Sequence, residues 1–188
     1  MSGRAAVEPG FRELVLRTSS AEDTRALAAA TAGALRPGDV VSLCGELGAG
    51  KTCFVQGVAA ALGVCRRVTS PTFTLVRRYE GDLDLVHVDV YRLDRLQEVV
   101  ELGEETMLGP DAVTFVEWGD TVEALLPLDR LEVVLTLGDG EHERWVTLRG
   151  QGSWADRIEK LAPLLAPWLE ERGVGAHASD DESAGRRA

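Results

Sequence analysis

VVSLCGELGAGKT, residues 40–52, sets a short apolar run directly before a glycine-rich octet. A run such as Val40 to Cys44 is expected of a strand buried on both faces of a parallel sheet. The octet Gly45-Glu46-Leu47-Gly48-Ala49-Gly50-Lys51-Thr52 fits G-x-x-x-x-G-K-[ST], and each fixed position has a mechanical reason. Glycines let the backbone turn tightly enough for several N–H groups to face one anion, and a helix starting there adds the positive end of its dipole. Lys51 then reaches the β- and γ-phosphates of a nucleotide as a mobile charge, and the Thr52 hydroxyl coordinates Mg²⁺. With 20 Gly and 2 Lys in 188 residues, random placement gives on the order of 0.002 such matches. Nucleotide binding is therefore the primary reading of the chain.

Working outward, the motif demands a strand before and a helix after, and the sequence offers both. A helix is expected from Lys51 to about Leu62, stopped by Gly63. Upstream, Phe11 to Thr18 is strand-like. Ser19 with Glu22 three positions later reads as a capping box for a helix running to about Leu35, before Pro37-Gly38. Downstream, Thr74 to Tyr79 and Asp84 to Val90 read as extended segments joined at Gly81-Asp82, followed by a polar helix near Arg95 to Leu102. Ala112 to Glu117, AVTFVE, is a second buried-strand pattern. Leu131 to Leu137 and Arg144 to Arg149 flank GDGEHE as a hairpin. Ser153 to Glu171 has helical periodicity, with Trp154, Ile158, Leu161, Leu165 and Trp168 on one stripe. This alternation predicts an α/β, P-loop NTPase-like sandwich with a largely parallel central sheet and inserted hairpins. One domain is expected over residues 11–172, between disordered tails at 1–10 and 173–188.

A phosphate loop needs an acidic residue near its metal, usually at the end of a buried strand. Glu117 ends AVTFVE in that manner, whereas Asp89 lies within LVHVDVYRL and is followed by further apolar residues. The pattern favours Glu117. His87 and Asp89 nevertheless share one face of their strand, with Val86, Val88 and Val90 on the other. Both could reach a nucleotide, or they could form a half-exposed strand edge. Zinc is a poor fit for the pair, because His142 and His177 lie in a turn and a tail. Trp118 suits either core packing or cover for a base. The hydroxyl-rich Thr69 to Thr74 is either an ordinary loop or a segment that responds to the γ-phosphate.

Composition narrows the partners. A hydrophobic share of 45% with 27% charged residues excludes whole-chain disorder. The net charge of −11 repels phosphate backbones, so direct nucleic-acid binding would need a local basic patch. No run approaches the roughly 18 apolar residues of a membrane span, and MSGRAAVEPG lacks a secretory core, which points to the cytoplasm. Cys44, Cys53 and Cys65 show no metal or redox spacing and read as small buried apolar residues.

Taken in order, GELGAGKT (45–52), SPTFTLVRRY (70–79), HVDVYRL (87–93), ELGEE (101–105) and VEW (116–118) closely resemble the TsaE family. These are the P-loop ATPases of bacterial tRNA threonylcarbamoyladenosine biosynthesis. The resemblance implies a role in forming N6-threonylcarbamoyladenosine next to the anticodon of tRNAs that read codons beginning with A. ATP and Mg²⁺ would be the cofactors. The partners would be TsaB and TsaD, whose complex needs ATP hydrolysis for repeated turnover, with tRNA met only through that complex. Carried over by position, the resemblance gives Lys51 and Thr52 their phosphate and metal roles and makes Glu117 the Walker B-like Mg²⁺ residue. It makes Asp89 important for catalysis, residues 69–74 switch-like and Trp118 a site-adjacent tryptophan. An arginine of the late hairpin approaches the nucleotide in that family, and Arg144 is the nearest candidate. The alternative class is a P-loop small-molecule kinase, since such kinases share the loop and sheet and can use an Asp near the γ-phosphate as base.

Overall fold

The computed structural model describes residues 11–71, 75–91 and 109–169. Its strands are β1 (Phe11–Thr18), β2 (Val40–Cys44), β3 (Val76–Tyr79), β4 (Asp84–Asp89), β5 (Ala112–Glu117), β6 (Leu131–Leu137) and β7 (Arg144–Gln151). They form one sheet in the order β1-β7-β6-β2-β5-β4-β3. The inner pairings β6–β2, β2–β5 and β5–β4 are parallel, while β3 and β7 are the two strands that run the other way. The expected largely parallel sheet with inserted hairpins is therefore what the chain builds. β2 and β5 are buried along their whole length, as expected of the mainly apolar runs VVSLC and AVTFVE.

The helices are α1 (Ala21–Thr31), α2 (Lys51–Ala61) and α3 (Ser153–Leu161). One apolar cluster lies under all three, from Leu27 and Phe54 to Trp154 and Ile158. A smaller cluster, including Val40, Val86, Val88 and Val116, lies on the opposite sheet face and is closed by Val122 and Leu126. α1 and α2 touch closely at Gly57, where a Cβ would stand 2.3 Å from the Arg25 carbonyl oxygen. Any side chain at that position would push the two helices apart.

The structure departs from the sequence reading at two helix boundaries and at two of the cysteines. The α1 cap is Ser20 rather than Ser19: Ser20 Oγ accepts from Asp23 N at 3.1 Å, and Asp23 reaches back to Ser19 N at 2.8 Å. The capping box is thus shifted by one residue, which turns Thr24, Leu27, Ala28 and Thr31 inward. The last helix stops at Leu161 instead of Glu171 and resumes as a 3₁₀ turn at Ala166–Trp168. Pro163 and Pro167 account for this, since each lacks the N–H that a continuing helix would use. Cys44 is buried as expected, but Cys53 is half-buried and Cys65 exposed. The polar helix placed near Arg95 to Leu102, residues 72–74 and both tails lie outside the described residues.

A buried ion pair ties α3 to the loop before β2. Arg157 Nη1 and Nη2 donate to Asp39 Oδ2 and Oδ1 at 2.6 and 2.7 Å, and the guanidinium carbon lies 3.9 Å from the Trp154 ring centroid. Both side chains are about nine-tenths buried, at 11% and 10% exposed. Asp39→Ala leaves a buried guanidinium without its counter-charge, holding only the Ala34 carbonyl and the Ser153 hydroxyl among the described residues, and is expected to lower unfolding free energy in urea by about 3–5 kcal/mol. A change under about 0.5 kcal/mol would show that the pair is not desolvated in solution.

Candidate nucleotide site

The octet folds as a turn between β2 and α2, so it begins in the middle of the sheet. β2 lies between β5 and β6, both parallel to it; the chain leaves β2 toward the β4–β3 edge but leaves the adjacent β6 toward β7, so the strand order switches between β2 and β6. In open α/β sheets ligands bind at such points, beyond the carboxyl ends of the strands. Gly45 has φ +136°, and a Cβ there would stand 2.3 Å from the Leu135 carbonyl oxygen of β6. Gly50 caps α2 at φ +109° with no side-chain cap, leaving the first helical N–H groups for an anion. The glycines of the motif are thus demanded by close approach at one end and left-handed backbone at the other.

Register then assembles the acidic side chains. Leu43 of β2 pairs with Glu117 of β5, and Glu117 pairs with Asp89 of β4, so the two carboxylates end adjacent strands at one level beside the loop. Thr52 donates its hydroxyl hydrogen to Glu117 Oε1 at 2.6 Å. The Lys51 ammonium donates to the loop carbonyls of Gly45 at 2.6 Å and Glu46 at 3.0 Å. It also lies 3.8 Å from the centroid of the Trp118 ring. Burial pulls the Lys51 pKa below its ordinary value, and the Glu117 and Asp89 carboxylates oppose that pull. Trp118 takes φ +64°, an unusual conformation for a bulky residue, and stacks on Tyr91 with centroids 4.7 Å apart.

These groups line a cavity of about 630 Å³, bounded by the loop and by Ser70, Asp89, Tyr91, Glu117 and Trp118. That volume falls in the range of small-molecule sites. Glu46, Leu47 and Gly48 are exposed at the loop tip, with Leu47 78% exposed, and Ala49 is buried. A second cavity of about 210 Å³ lies across the loop, sharing Gly48, Gly50 and Cys53 with the first and lined also by Ala21, Thr24, His142 and Arg144. Arg144 starts β7, and its guanidinium donates to the carbonyls of Ala49 at 3.2 Å and Gly48 at 3.4 Å. The late hairpin thereby braces the loop from the side opposite Glu117.

His87 and Asp89 are both buried, at 0% and 4% exposed, which removes the reading of a half-exposed strand edge. Asp89 accepts the Ser70 hydroxyl at 2.6 Å and the Tyr91 N–H at 3.1 Å, so the hydroxyl-rich segment touches the site through Ser70. Trp118 is half-buried over Lys51, serving packing and cavity lining together. Sequence reasoning did not find Ser70 and Tyr91 individually, or the contact of His87 with Glu117 at 2.9 Å. Strand alternation had placed His87 on the correct face. Its partner depends on register between strands 30 residues apart, for which a single sequence carries no local signal.

The donor set also bears on metal choice. A hydroxyl and carboxylates are hard oxygen ligands of the kind Mg²⁺ takes beside a nucleotide phosphate. Among the described residues, no group of three or more His, Cys, Asp or Glu side chains is arranged to hold an ion unaided.

Comparison with known proteins identifies the family. Residues 18–146 match the family model described as threonylcarbamoyl adenosine biosynthesis protein TsaE. The Bacillus subtilis tRNA threonylcarbamoyladenosine biosynthesis protein TsaE is 42% identical over 157 residues, covering 83% of this chain and 96% of that protein. The Treponema pallidum protein of the same name is 42% identical over 125 residues, covering 66% of this chain and 93% of the relative. The crystal structure of YdiB from Bacillus subtilis superposes with a TM-score of 0.66 at 39% identity, covering 84% of this chain and 96% of that one. With its glycine-rich octet and both carboxylate-tipped strands inside the matched region, this chain belongs to the TsaE family of threonylcarbamoyladenosine biosynthesis proteins.

Proposed function

We propose that this protein binds ATP with Mg²⁺ and hydrolyses it in support of the complex of TsaB and TsaD that forms N6-threonylcarbamoyladenosine on tRNA. The observation that carries the reading is the Thr52–Glu117 hydrogen bond at the floor of the phosphate-loop cavity, which joins the motif's hydroxyl to a strand-end carboxylate. In this reading Lys51 supplies the mobile cation for the β- and γ-phosphates, and Thr52 and Glu117 hold Mg²⁺. When bound, the ion neutralises phosphate charge that builds up during transfer. Asp89, tied to Ser70, orients the attacking water and takes its proton as the bond to the γ-phosphate breaks. Arg144 stiffens the loop from behind. The net charge of −11 favours protein partners over direct contact with tRNA. No helix among the described residues is long and apolar enough to cross a membrane.

Slow hydrolysis by the protein alone, rising on addition of the TsaB–TsaD complex, is the expected behaviour. Asp89→Ala is expected to leave ATP affinity within about threefold of the parent while lowering complex-stimulated phosphate release by roughly 10²-fold. Parent-level turnover in that assay would remove Asp89 from the chemistry. ADP formation that rises only with an added small-molecule acceptor would replace the reading with that of a kinase.

A further inference from the structure

We infer that His87 is a positioning residue for Glu117, fixing the carboxylate that serves the metal; the inference rests on the Mg²⁺-ATP reading given above. His87 sits on β4 with its side chain on the same sheet face as Leu85 and Asp89, and it is fully buried. Its Nε2 lies 2.9 Å from Glu117 Oε1, the oxygen that also takes the Thr52 hydroxyl at 2.6 Å. Among the described residues its Nδ1 has no hydrogen-bond partner. That asymmetry assigns the hydrogen. With the hydrogen on Nδ1, a buried N–H would go unmatched and the Nε2 lone pair would face a carboxylate oxygen, two costs that the other tautomer avoids. Nε2–H therefore donates to Oε1, and Nδ1 is left as an acceptor without a partner among the described residues.

Packing alone does not explain the residue. The cluster on this sheet face holds Leu85, Val113 and Phe115, and a leucine would fill the place without burying an unmatched ring nitrogen. What histidine adds is a second donor to one carboxylate oxygen. Glu117 has three rotatable side-chain bonds and ends its strand. With Thr52 and His87 both on Oε1, the carboxylate is held from two elements, α2 and β4, and its plane is set before any ligand arrives. Mg²⁺ tolerates little departure from octahedral geometry, so a loosely held carboxylate would bind it less well.

The test separates Nε2 from Nδ1. In His87→Gln the amide nitrogen takes the place of Nε2, whereas in His87→Asn it takes the place of Nδ1. Binding of a non-hydrolysable ATP analogue to the full-length protein is measured by calorimetry across a Mg²⁺ series and again in EDTA. Expected is a parent-like Mg²⁺ dependence for His87→Gln and a midpoint displaced to roughly 10- to 100-fold more Mg²⁺ for His87→Asn, with EDTA affinities alike. His87→Leu preserves apolar packing and keeps the test valid if the asparagine variant does not fold; it is expected to show the same displacement. Parent-like midpoints in the asparagine or leucine variant would overturn the inference. So would a glutamine variant displaced as far as they are, because packing rather than the hydrogen bond would then be responsible. A parent protein whose analogue binding ignores Mg²⁺ would remove the Mg²⁺-ATP reading itself, and this inference with it.

Discussion

Lys51→Ala is expected to abolish tight ATP binding. Lys51 is 5% exposed, and its ammonium lies against the Gly45 and Glu46 carbonyls of the loop that would hold phosphate. Removing one partner of a desolvated, hydrogen-bonded charge pair costs about 2–5 kcal/mol, or roughly 30- to 4,000-fold in Kd. The fold should tolerate the change. Lys51 itself borders the open cavity, so its removal leaves space that water can enter, and the apolar core cluster does not include it. Calorimetry with ATP and Mg²⁺ checks the affinity, and a thermal melt of the same preparation checks the fold. A folded variant that binds ATP like the parent would remove the phosphate-loop argument altogether.

Glu117→Gln is expected to have the second large effect, on turnover rather than on folding. Glutamine keeps a side-chain oxygen that can accept from Thr52 and His87 but gives up the negative charge needed to hold a divalent cation. Hydrolysis stimulated by the TsaB–TsaD complex should fall by roughly 10²- to 10³-fold, the range seen when one preorganised electrostatic contact is lost. Nucleotide affinity in EDTA should stay near that of the parent, since Lys51 and the loop N–H groups do not depend on the carboxylate. Stimulated phosphate release within threefold of the parent would show that another group serves the metal.

Much of the site was legible because its parts are local. The octet fixes its own backbone through Gly45 and Gly50, the apolar run of β2 delivers it to mid-sheet, and AVTFVE announces a buried strand tipped by Glu117. Strand alternation likewise put His87 and Asp89 on one face. The illegible parts are contacts between distant segments. Ser70 meets Asp89 across 19 residues, His87 meets Glu117 across 30, and Arg144 reaches Ala49 across 95. Each depends on sheet order, which placed β4 beside β5 and let β7 return alongside β6. Two local errors have local causes. The capping box was read one residue early because Ser19 and Ser20 both offer a hydroxyl. The apolar stripe of the last helix continued past Pro163, where the backbone could not follow.

The Asp39–Arg157 clamp and the His87–Glu117 contact illustrate two uses of buried polarity. The first joins α3 to the strand that carries the phosphate loop, and its loss should register in stability. The second lies against the cavity, and its loss should register in Mg²⁺ dependence. Measuring both quantities on both sets of variants would separate scaffold from site, because their effects should not exchange.

The most direct test is made in cells depleted of the protein and resupplied with either the parent chain or Lys51→Ala, with bulk tRNA digested and its modified nucleosides quantified by mass spectrometry. The expected result is loss of N6-threonylcarbamoyladenosine on depletion, restored by the parent and not by the variant. An unchanged level under verified depletion, or full restoration by Lys51→Ala, would contradict the account.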